Sequence, residues 1–255
     1  ERKVAHGRCV GRQHCVDWRA GSRSQAVTFP RPIAAVVFDM DGVLFDTEAQ
    51  YEMAAIAAAR EVGIVMTAEF FRSTVGSPWP VVRGMLLEHY GPDLAVDEME
   101  EISRRVFREL TDSANILKPG VLELLDLLDE LGLPRAVATS SSRATVDRHL
   151  MHHRLSDRFV GIAAHGDYER HKPHPDPFIK AAELMGVRPE HCLAVEDSHH
   201  GVRSASSAGM MTIMVPDLVA ASPEMAGLCA AIVDDLHAVC RLIDAQRAGD
   251  TRIEP

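Results

Sequence analysis

Several features that would direct the interpretation elsewhere are missing from this sequence. No uninterrupted apolar run is long enough to cross a bilayer, so a membrane-spanning protein is not predicted. Cysteine is scarce and scattered: the five are Cys9, Cys15, Cys192, Cys229 and Cys240. An odd set with irregular spacing does not indicate a disulfide framework. We therefore expect a reducing compartment, the cytoplasm.

Positive charge is also in short supply, with 27 Lys and Arg against 37 Asp and Glu and a formal net charge of −10. An acidic surface repels the phosphate backbone, so neither nucleic acid nor a membrane surface is an expected partner. The oligomeric state is left open, and a monomer is compatible with this composition. Basic residues concentrate near the start, and we interpret residues 1–31 as a basic leader outside the fold, either disordered or an extended start. A zinc cluster in that segment is disfavoured, because the spacing of its Cys and His residues matches no standard finger: His6, Cys9, His14 and Cys15.

Short apolar runs separated by helical patterns are present instead. The run at residues 33–38, IAAVVF, is typical of a strand buried on both faces of a parallel sheet. Further strands are predicted at residues 135–139, 159–163, 192–196, 211–215 and 230–233. Amphipathic helical patterns separate most of these runs, as at residues 121–131. This alternation predicts an α/β fold, a Rossmann-like parallel sheet with helices on both faces.

One long stretch interrupts the alternation. Residues 47–115 show helical patterns without a convincing strand, and this is too long for a simple crossover between two strands. We predict an inserted α-helical cap over the carboxyl edge of the sheet, where ligands bind in open α/β folds. The predicted domains are therefore a catalytic core of residues 32–46 and 116–255, and a helical cap of residues 47–115.

Carboxylates follow the first predicted strand. Asp39 and Asp41 stand two residues apart and would repel each other unless a cation such as Mg²⁺ lies between them. Gly42 follows, where the backbone can turn sharply and approach a ligand closely. For this pair alone, a solvated acidic strand end would be the simpler explanation.

Polar residues also follow three other predicted strands. Thr139 and Ser140 lead into a helix, whose N-terminus attracts phosphate, although simple capping would explain them equally well. Lys172 stands in a proline-rich loop that would hold its ammonium towards a phosphate, or is merely an exposed loop residue. Glu196 and Asp197 end the fourth run, where a helix cap is the alternative explanation.

Taken together and in this order, these segments resemble the four motifs of the haloacid dehalogenase superfamily. The segment FDMDGVLFDTE carries most of the likeness, and KPHPDPF and EDS add to it. The resemblance covers roughly residues 33–235. The helical insertion after the first motif is similar to the cap of the β-phosphoglucomutase-like branch of that superfamily.

The resemblance implies a catalytic role for four residues. Asp39 matches the nucleophile that forms an aspartyl-phosphate, and Asp41 matches the general acid and base. Thr139 and Lys172 match the residues that hold the phosphate. Gly42 and Ser140 are the further phosphate-binding candidates.

The resemblance also implies Mg²⁺ as cofactor, because all-oxygen ligation suits a hard cation. The predicted ligands are Asp39, Asp41 through its backbone carbonyl, Glu196 and Asp197. A carboxylate can approach an anionic phosphate only where such positive charge neutralises the phosphoryl oxygens.

An Asp at both 39 and 41 is typical of family members that act on phosphate esters, which favours a phosphatase for a small phosphorylated metabolite. A β-phosphoglucomutase-type phosphomutase is the first alternative. Mutases of this branch carry a His where Tyr51 aligns, an Arg near the Gly that resembles Gly76, and a Lys where Val106 aligns. These departures favour net hydrolysis. A non-catalytic protein that binds a phosphorylated ligand is the second alternative, although all four motif positions are filled.

Overall fold

The computed structural model describes residues 29–74, 79–113 and 116–250. Within them the chain forms six strands: β1 (Ala35–Phe38), β2 (Arg135–Ser142), β3 (Gly161–His165), β4 (Cys192–Glu196), β5 (Met211–Met214) and β6 (Ala231–Ile232). The strands make one parallel sheet in the order β3-β2-β1-β4-β5-β6. Every predicted strand forms, with bounds that differ by a few residues.

Helices connect the strands within the described residues. They are α1 (Thr47–Glu61), α2 (Ala68–Thr74), α3 (Trp79–Tyr90), α4 (Val96–Ser113), α5 (Val121–Glu130), α6 (Arg143–His152), α7 (Asp176–Met185), α8 (His199–Ser207), α9 (Pro223–Leu228) and α10 (Leu236–Asp250). Searching these same residues reveals no helix with the length and apolarity needed to span a membrane. The helical patterns in the sequence fall at residues 48–62, 81–89, 98–110, 121–131, 144–151, 178–185 and 201–208, so α2, α9 and α10 were missed.

The sheet is buried on both faces. Along β1, Val36 and Phe38 belong to a cluster that includes residues of α5 and α10, whereas Ala35 and Val37 pack with residues of α7 on the other face. This alternation of side chains across a strand is what a sheet covered on both sides requires. The predicted α/β class with a Rossmann-like parallel sheet is confirmed.

The strand order reverses at β1. The chain runs outwards from β1 through β2 to β3, then returns to β4 on the other side of β1 and continues to β5 and β6. In open parallel sheets, ligands bind in the crevice at the carboxyl ends of the strands where the order reverses. The loops that follow β1 and β4 therefore occupy the expected position of a binding site.

Between β1 and β2, the described residues form four helices of the insertion, α1 to α4, followed by α5. Apolar side chains of α1 to α4 form a cluster separate from the two that cover the sheet, with Ala58, Leu86 and Met99 among its buried members together with Met66 from the loop before α2. A separate core of this kind is typical of an inserted helical unit.

The fold takes in the last residues of the predicted leader. Phe29 is buried in the larger core cluster, and the amide of Gln246 donates a hydrogen bond to the carbonyl of Arg31 at 3.0 Å. The segment that carries His6, Cys9, His14 and Cys15 lies outside the described residues.

Candidate active site

The carboxylate of Asp39 directly follows β1 and is almost fully buried. The backbone N–H of Asp39 donates a hydrogen bond to the carbonyl of Val195 at 2.9 Å, which holds this residue between β1 and β4. The ammonium of Lys172 lies 2.5 Å from Asp39 Oδ1 and 2.6 Å from Glu196 Oε1. The buried ammonium of Lys172 therefore links Asp39, which follows β1, to Glu196 at the end of β4.

Lys172 reaches this position from the loop between β3 and α7. Its Nζ lies 5.0 Å from the centre of the Phe178 ring, a distance at which the ring face attracts a cation. Burial alone would lower the pKa of Lys172, but the carboxylates of Asp39 and Glu196 raise it well above its usual range. The ammonium therefore stays charged at neutral pH.

The surroundings of Asp39 favour its neutral form, whereas those of Lys172 favour its charged form. The pKa of Asp39 is raised to about 8, chiefly by burial and in addition by Glu196 and Asp41, although the Lys172 ammonium opposes the rise. The site as it stands therefore holds more negative charge than Lys172 offsets. Additional positive charge beside Asp39 would favour its ionised form.

Glu196 is fully buried at the end of β4 and is fixed at both oxygens. Besides the contact of Oε1 with Lys172, Oε2 accepts hydrogen bonds from the backbone N–H groups of Asp197 at 2.9 Å and Ser198 at 2.8 Å, and from the Ser198 hydroxyl at 3.0 Å. The first turn of α8 must leave space for this carboxylate. At Gly201, a Cβ would lie 1.6 Å from Glu196 Oε1, so the position requires glycine.

Asp41 has different surroundings from Asp39, because hydroxyl groups rather than a cation hold it. Its Oδ1 accepts from the Thr47 hydroxyl at 2.8 Å, and its Oδ2 accepts from the Ser141 hydroxyl at 2.7 Å and from Thr139 at 3.4 Å. The donors come from the start of α1 and the end of β2. These contacts fix both oxygens of a carboxylate two residues after Asp39.

The turn after Asp41 depends on Gly42. Its φ is +81°, in the left-handed region, and a Cβ there would lie 2.3 Å from Asp197 Oδ2. Its N–H donates to the carbonyl of Phe45 at 2.8 Å. Since the N–H and C=O of a trans peptide point in opposite directions, the Asp41 carbonyl points away from Phe45.

Thr139 is fully buried near the end of β2. Its Oγ1 accepts a hydrogen bond from the Ser141 N–H at 3.0 Å, and its carbonyl accepts from the Tyr168 hydroxyl at 2.8 Å. Ser140, the neighbouring predicted residue, is exposed. The shorter of the two hydrogen bonds from β2 to Asp41 comes from Ser141, which the sequence analysis did not single out.

The arrangement of the acidic residues shows whether the site could hold a cation. Asp39, Glu196 and Asp197 each place an oxygen within 4.8 Å of those of the other two. Burial raises the pKa of Asp197 well above its usual range, and Glu196, Asp39 and Glu48 raise it further. Crowded, buried carboxylate oxygens are the donor set that a hard divalent cation prefers, so these residues fit Mg²⁺.

The start of α1 and one ion pair lie near the site, because the charges of Asp41, Asp217 and Lys118 all act on Glu48. The pKa of Glu48 is raised to about 7, chiefly by burial and in addition by the nearby carboxylates of Asp41 and Asp217. The ring of Tyr51 stacks on Phe107 of α4, with ring centroids 3.9 Å apart. Lys118 Nζ lies 2.8 Å from Asp217 Oδ1. The sequence analysis missed this pair.

The family assignment follows from comparison with known proteins. Residues 36–215 match the model of the haloacid dehalogenase-like hydrolases, so the chain belongs to that family. Hexitol phosphatase B of Escherichia coli strain K12 is 30% identical over 190 residues, which are 73% of this chain and 85% of that protein. The protein is a phosphoric monoester hydrolase.

Two solved structures share the fold. CbbY from Rhodobacter sphaeroides in complex with phosphate is 27% identical, with a TM-score of 0.69 over 81% of this chain and 96% of that chain. β-Phosphoglucomutase from Clostridium difficile is 26% identical, with a TM-score of 0.67 over 86% of this chain and the whole of that chain. The resemblance to this superfamily and to its β-phosphoglucomutase-like branch is confirmed.

Proposed function

We propose that the protein is a Mg²⁺-dependent phosphatase that hydrolyses a small phosphorylated metabolite, a sugar phosphate or similar, through an aspartyl-phosphate on Asp39. The observation that carries the proposal is the contrast between two neighbouring carboxylates. Asp39 contacts the ammonium of Lys172, whereas Asp41 accepts hydrogen bonds from hydroxyl groups. Different surroundings suit one carboxylate to nucleophilic attack and the other to proton transfer.

In the first half of the reaction, an oxygen of Asp39 attacks the phosphorus and the bond to the leaving oxygen breaks. Asp41 gives its proton to that oxygen, which departs as an alcohol. Lys172, the Thr139 hydroxyl and N–H groups near Gly42 and Ser140 would hold the phosphoryl oxygens. Lys172 is already charged and fixed between two carboxylates, so it needs no reorganisation for this role.

In the second half, a water molecule attacks the phosphorus of the aspartyl-phosphate. Asp41, now ionised, takes a proton from that water, and the bond between Asp39 and phosphorus breaks. Inorganic phosphate leaves, and both carboxylates return to their starting state. Donors on both oxygens of Asp41 keep it oriented through the two proton transfers.

Asp39, Asp197 and the Asp41 carbonyl are proposed to hold Mg²⁺. Glu196 was predicted as a fourth ligand, but its two oxygens already have partners, so we propose that it chiefly orients Lys172 and Asp197. When bound, the cation would neutralise phosphoryl oxygens and so allow a carboxylate to approach them.

The substrate class is inferred from the helical insertion and from the relatives. We propose that residues 47–115 form a cap over the carboxyl edge of the sheet, with the remainder of residues 32–255 as the core. Glu48 and Tyr51 on α1 would face the leaving group. The guanidinium of Arg83, another residue of the insertion, lies 3.4 Å from the carboxylate of Asp97 in α4. Arg83 is therefore less available to contact the leaving group. A hexitol phosphatase among the relatives favours a phosphorylated sugar or polyol.

The phosphomutase remains the rival reaction, because a β-phosphoglucomutase shares the fold. Tyr51, stacked on Phe107, occupies the position at which mutases of the branch carry a His, which favours hydrolysis. Val106, where mutases carry a Lys, lies in α4 and also favours hydrolysis, whereas the position near Gly76 lies outside the described residues. The expected cytoplasmic location stays a prediction.

The test is phosphate release from a panel of phosphorylated sugars, polyols and nucleosides, with Mg²⁺ or with EDTA. We expect release that requires Mg²⁺ and disappears in Asp39→Asn. Glu69→Gln, in the exposed first turn of α2, is the control and should be fully active. Conversion of β-glucose 1-phosphate without phosphate release would support the mutase. Phosphate binding without turnover of any compound would support the non-catalytic alternative.

A further inference from the structure

One ion pair near the acidic cluster has no role in the chemistry above. Lys118 Nζ lies 2.8 Å from Asp217 Oδ1, and side-chain exposures of 21% and 16% show that the pair is largely buried. The two residues are 99 positions apart in the chain. Ion pairs at this depth need further hydrogen bonds to offset the loss of water.

Both partners are anchored to the segments that carry the site. The Lys118 N–H donates to the carbonyl of Leu44 at 3.0 Å, in the loop that follows Asp41 and Gly42. Asp217 stands two residues after Val215, whose N–H donates to the carbonyl of Glu196 at 2.7 Å. The pair therefore joins the loop after β1 to the end of β5.

The second oxygen of Asp217 points towards the predicted cation site. A Cβ placed on Gly42 would lie 2.3 Å from Asp197 Oδ2 and 3.4 Å from Asp217 Oδ2, so the two carboxylate oxygens face the same point. Asp217 Oδ2 is buried, and among the described residues it has no hydrogen-bond donor. A buried carboxylate oxygen without a donor is costly, so a donor is expected in the space beside Asp197.

A cation bound directly to Asp217 is disfavoured, because the ammonium of Lys118 already occupies its other oxygen and would repel a second positive charge. The hydration shell of a cation held by Asp39 and Asp197 would supply the missing donor, since Mg²⁺ gives up its water reluctantly. Outer-shell acceptors of this kind orient the ligands of a metal site, and their loss typically weakens binding 10- to 100-fold.

We propose that Asp217, held in place by Lys118, is an outer-shell positioning residue of the divalent-cation site, accepting a hydrogen bond from the hydration shell of the cation. This proposal rests on the cation site of the proposed function. If the ion pair of Lys118 and Asp217 only holds two segments of the fold together, it contributes to stability and not to cation binding.

The test is Mn²⁺ binding to the full chain, followed by the electron paramagnetic resonance signal of the free ion in the absence of substrate. We expect Asp217→Asn to weaken binding about 10-fold and Asp217→Leu up to about 100-fold. Asp126→Asn, which removes one of the two acidic partners of Arg158, is the control and should bind as the wild type does. Urea unfolding in EDTA shows whether each variant is folded.

The Lys118→Met variant distinguishes a role of Lys118 in positioning Asp217 from a general effect of net charge on cation binding. Removing a positive charge would tighten cation binding if only net charge mattered, whereas loss of the hold on Asp217 should weaken it. Equal Mn²⁺ affinity in wild type and both Asp217 variants, or tighter binding in Lys118→Met, would overturn the proposal and leave the proposed function intact. Failure of the wild type to bind Mn²⁺ would overturn both.

Discussion

The α-carbon of Gly201 faces the carboxylate of Glu196, so closely that a Cβ there would lie 1.6 Å from Oε1. A flexible side chain could ordinarily move aside. Glu196 cannot do so without losing Lys172 and the N–H groups of Asp197 and Ser198. The absence of a Cβ at Gly201 in α8 therefore maintains the arrangement of charged groups at the ends of β1 and β4.

Gly201→Ala should therefore lower both stability and activity. Inserting a methyl group into a packed site costs about 1–3 kcal/mol, and the displaced Glu196 should release Lys172 and reduce turnover. Gly84→Ala is the matched control, because Gly84 lies in α3 with open space around its α-carbon. That change should stabilise the protein by about 0.5–1 kcal/mol. Urea unfolding measures both changes, and equal effects at the two positions would contradict this account of Gly201.

The hydroxyl that orients Asp41 should matter in proportion to its hydrogen bond. Ser141→Ala removes the donor at 2.7 Å from Asp41 Oδ2, and loss of a hydrogen bond to a charged group should lower kcat about 10-fold. The steady-state kcat measures this loss, and the exposed Ser156→Ala is the control.

Asp41→Asn should lower kcat/KM about 10²–10⁴-fold for alkyl phosphates and less for aryl phosphates, because phenolates leave without a proton. The comparison uses kcat/KM because this ratio reports only the steps up to formation of the aspartyl-phosphate, before the water attacks. An equal loss of kcat/KM on both substrate classes would argue against Asp41 as the acid.

The stability of the cation-free protein should fall as pH rises through neutrality, in part because of Glu48. Burial raises the pKa of Glu48 from 4.5 to about 7, so the folded state binds this proton more tightly than the unfolded state does. The stabilisation is fully present below about pH 4.5 and is lost as pH rises through about 7. Glu48→Gln should therefore lose less stability than the wild type between pH 5 and pH 8. Urea unfolding in EDTA measures the difference, and parallel pH profiles would contradict it.

Mg²⁺ should stabilise the folded protein, because it would offset the repulsion among Asp39, Glu196 and Asp197. The gain follows the ratio of free cation to its Kd, about 2.7 kcal/mol at a hundredfold excess over Kd. Thermal unfolding with and without Mg²⁺ measures the shift in Tm. Asp197→Asn should reduce that shift strongly, whereas Asp126→Asn should leave it unchanged. A shift that survives in Asp197→Asn would place the cation elsewhere.

The sequence predicted the sheet well, because short runs rich in Val, Ile and Ala that are buried on both faces leave a clear pattern. Helix α2 was missed because seven residues show too little periodicity to be recognised. Asp39, Asp41, Glu196 and Asp197 could be found because they stand at the ends of predicted strands, and Lys172 because it begins the proline-rich KPHPDPF segment.

Other residues of the site could not be found in this way. Between Ala138 and Ser142 the pairing of β2 with β3 shifts register, so alternation does not tell which hydroxyl of the serine run reaches Asp41. Lys118 and Asp217 come from loops without a motif, and only the folded chain brings them together. Long-range pairs of this kind depend on packing and not on local pattern.

Identifying the residue that carries the phosphoryl group tests the central claim most directly. In Asp41→Asn, an aryl phosphate should still transfer its phosphoryl group, but the water that completes the reaction lacks its base, so the intermediate should accumulate. Acid quenching and peptide mass spectrometry would then locate it. The account predicts one phosphoryl group on the peptide that contains Asp39, absent when Asp39→Asn is added. A phosphoryl group on another residue, or turnover that persists in Asp39→Asn, would contradict it.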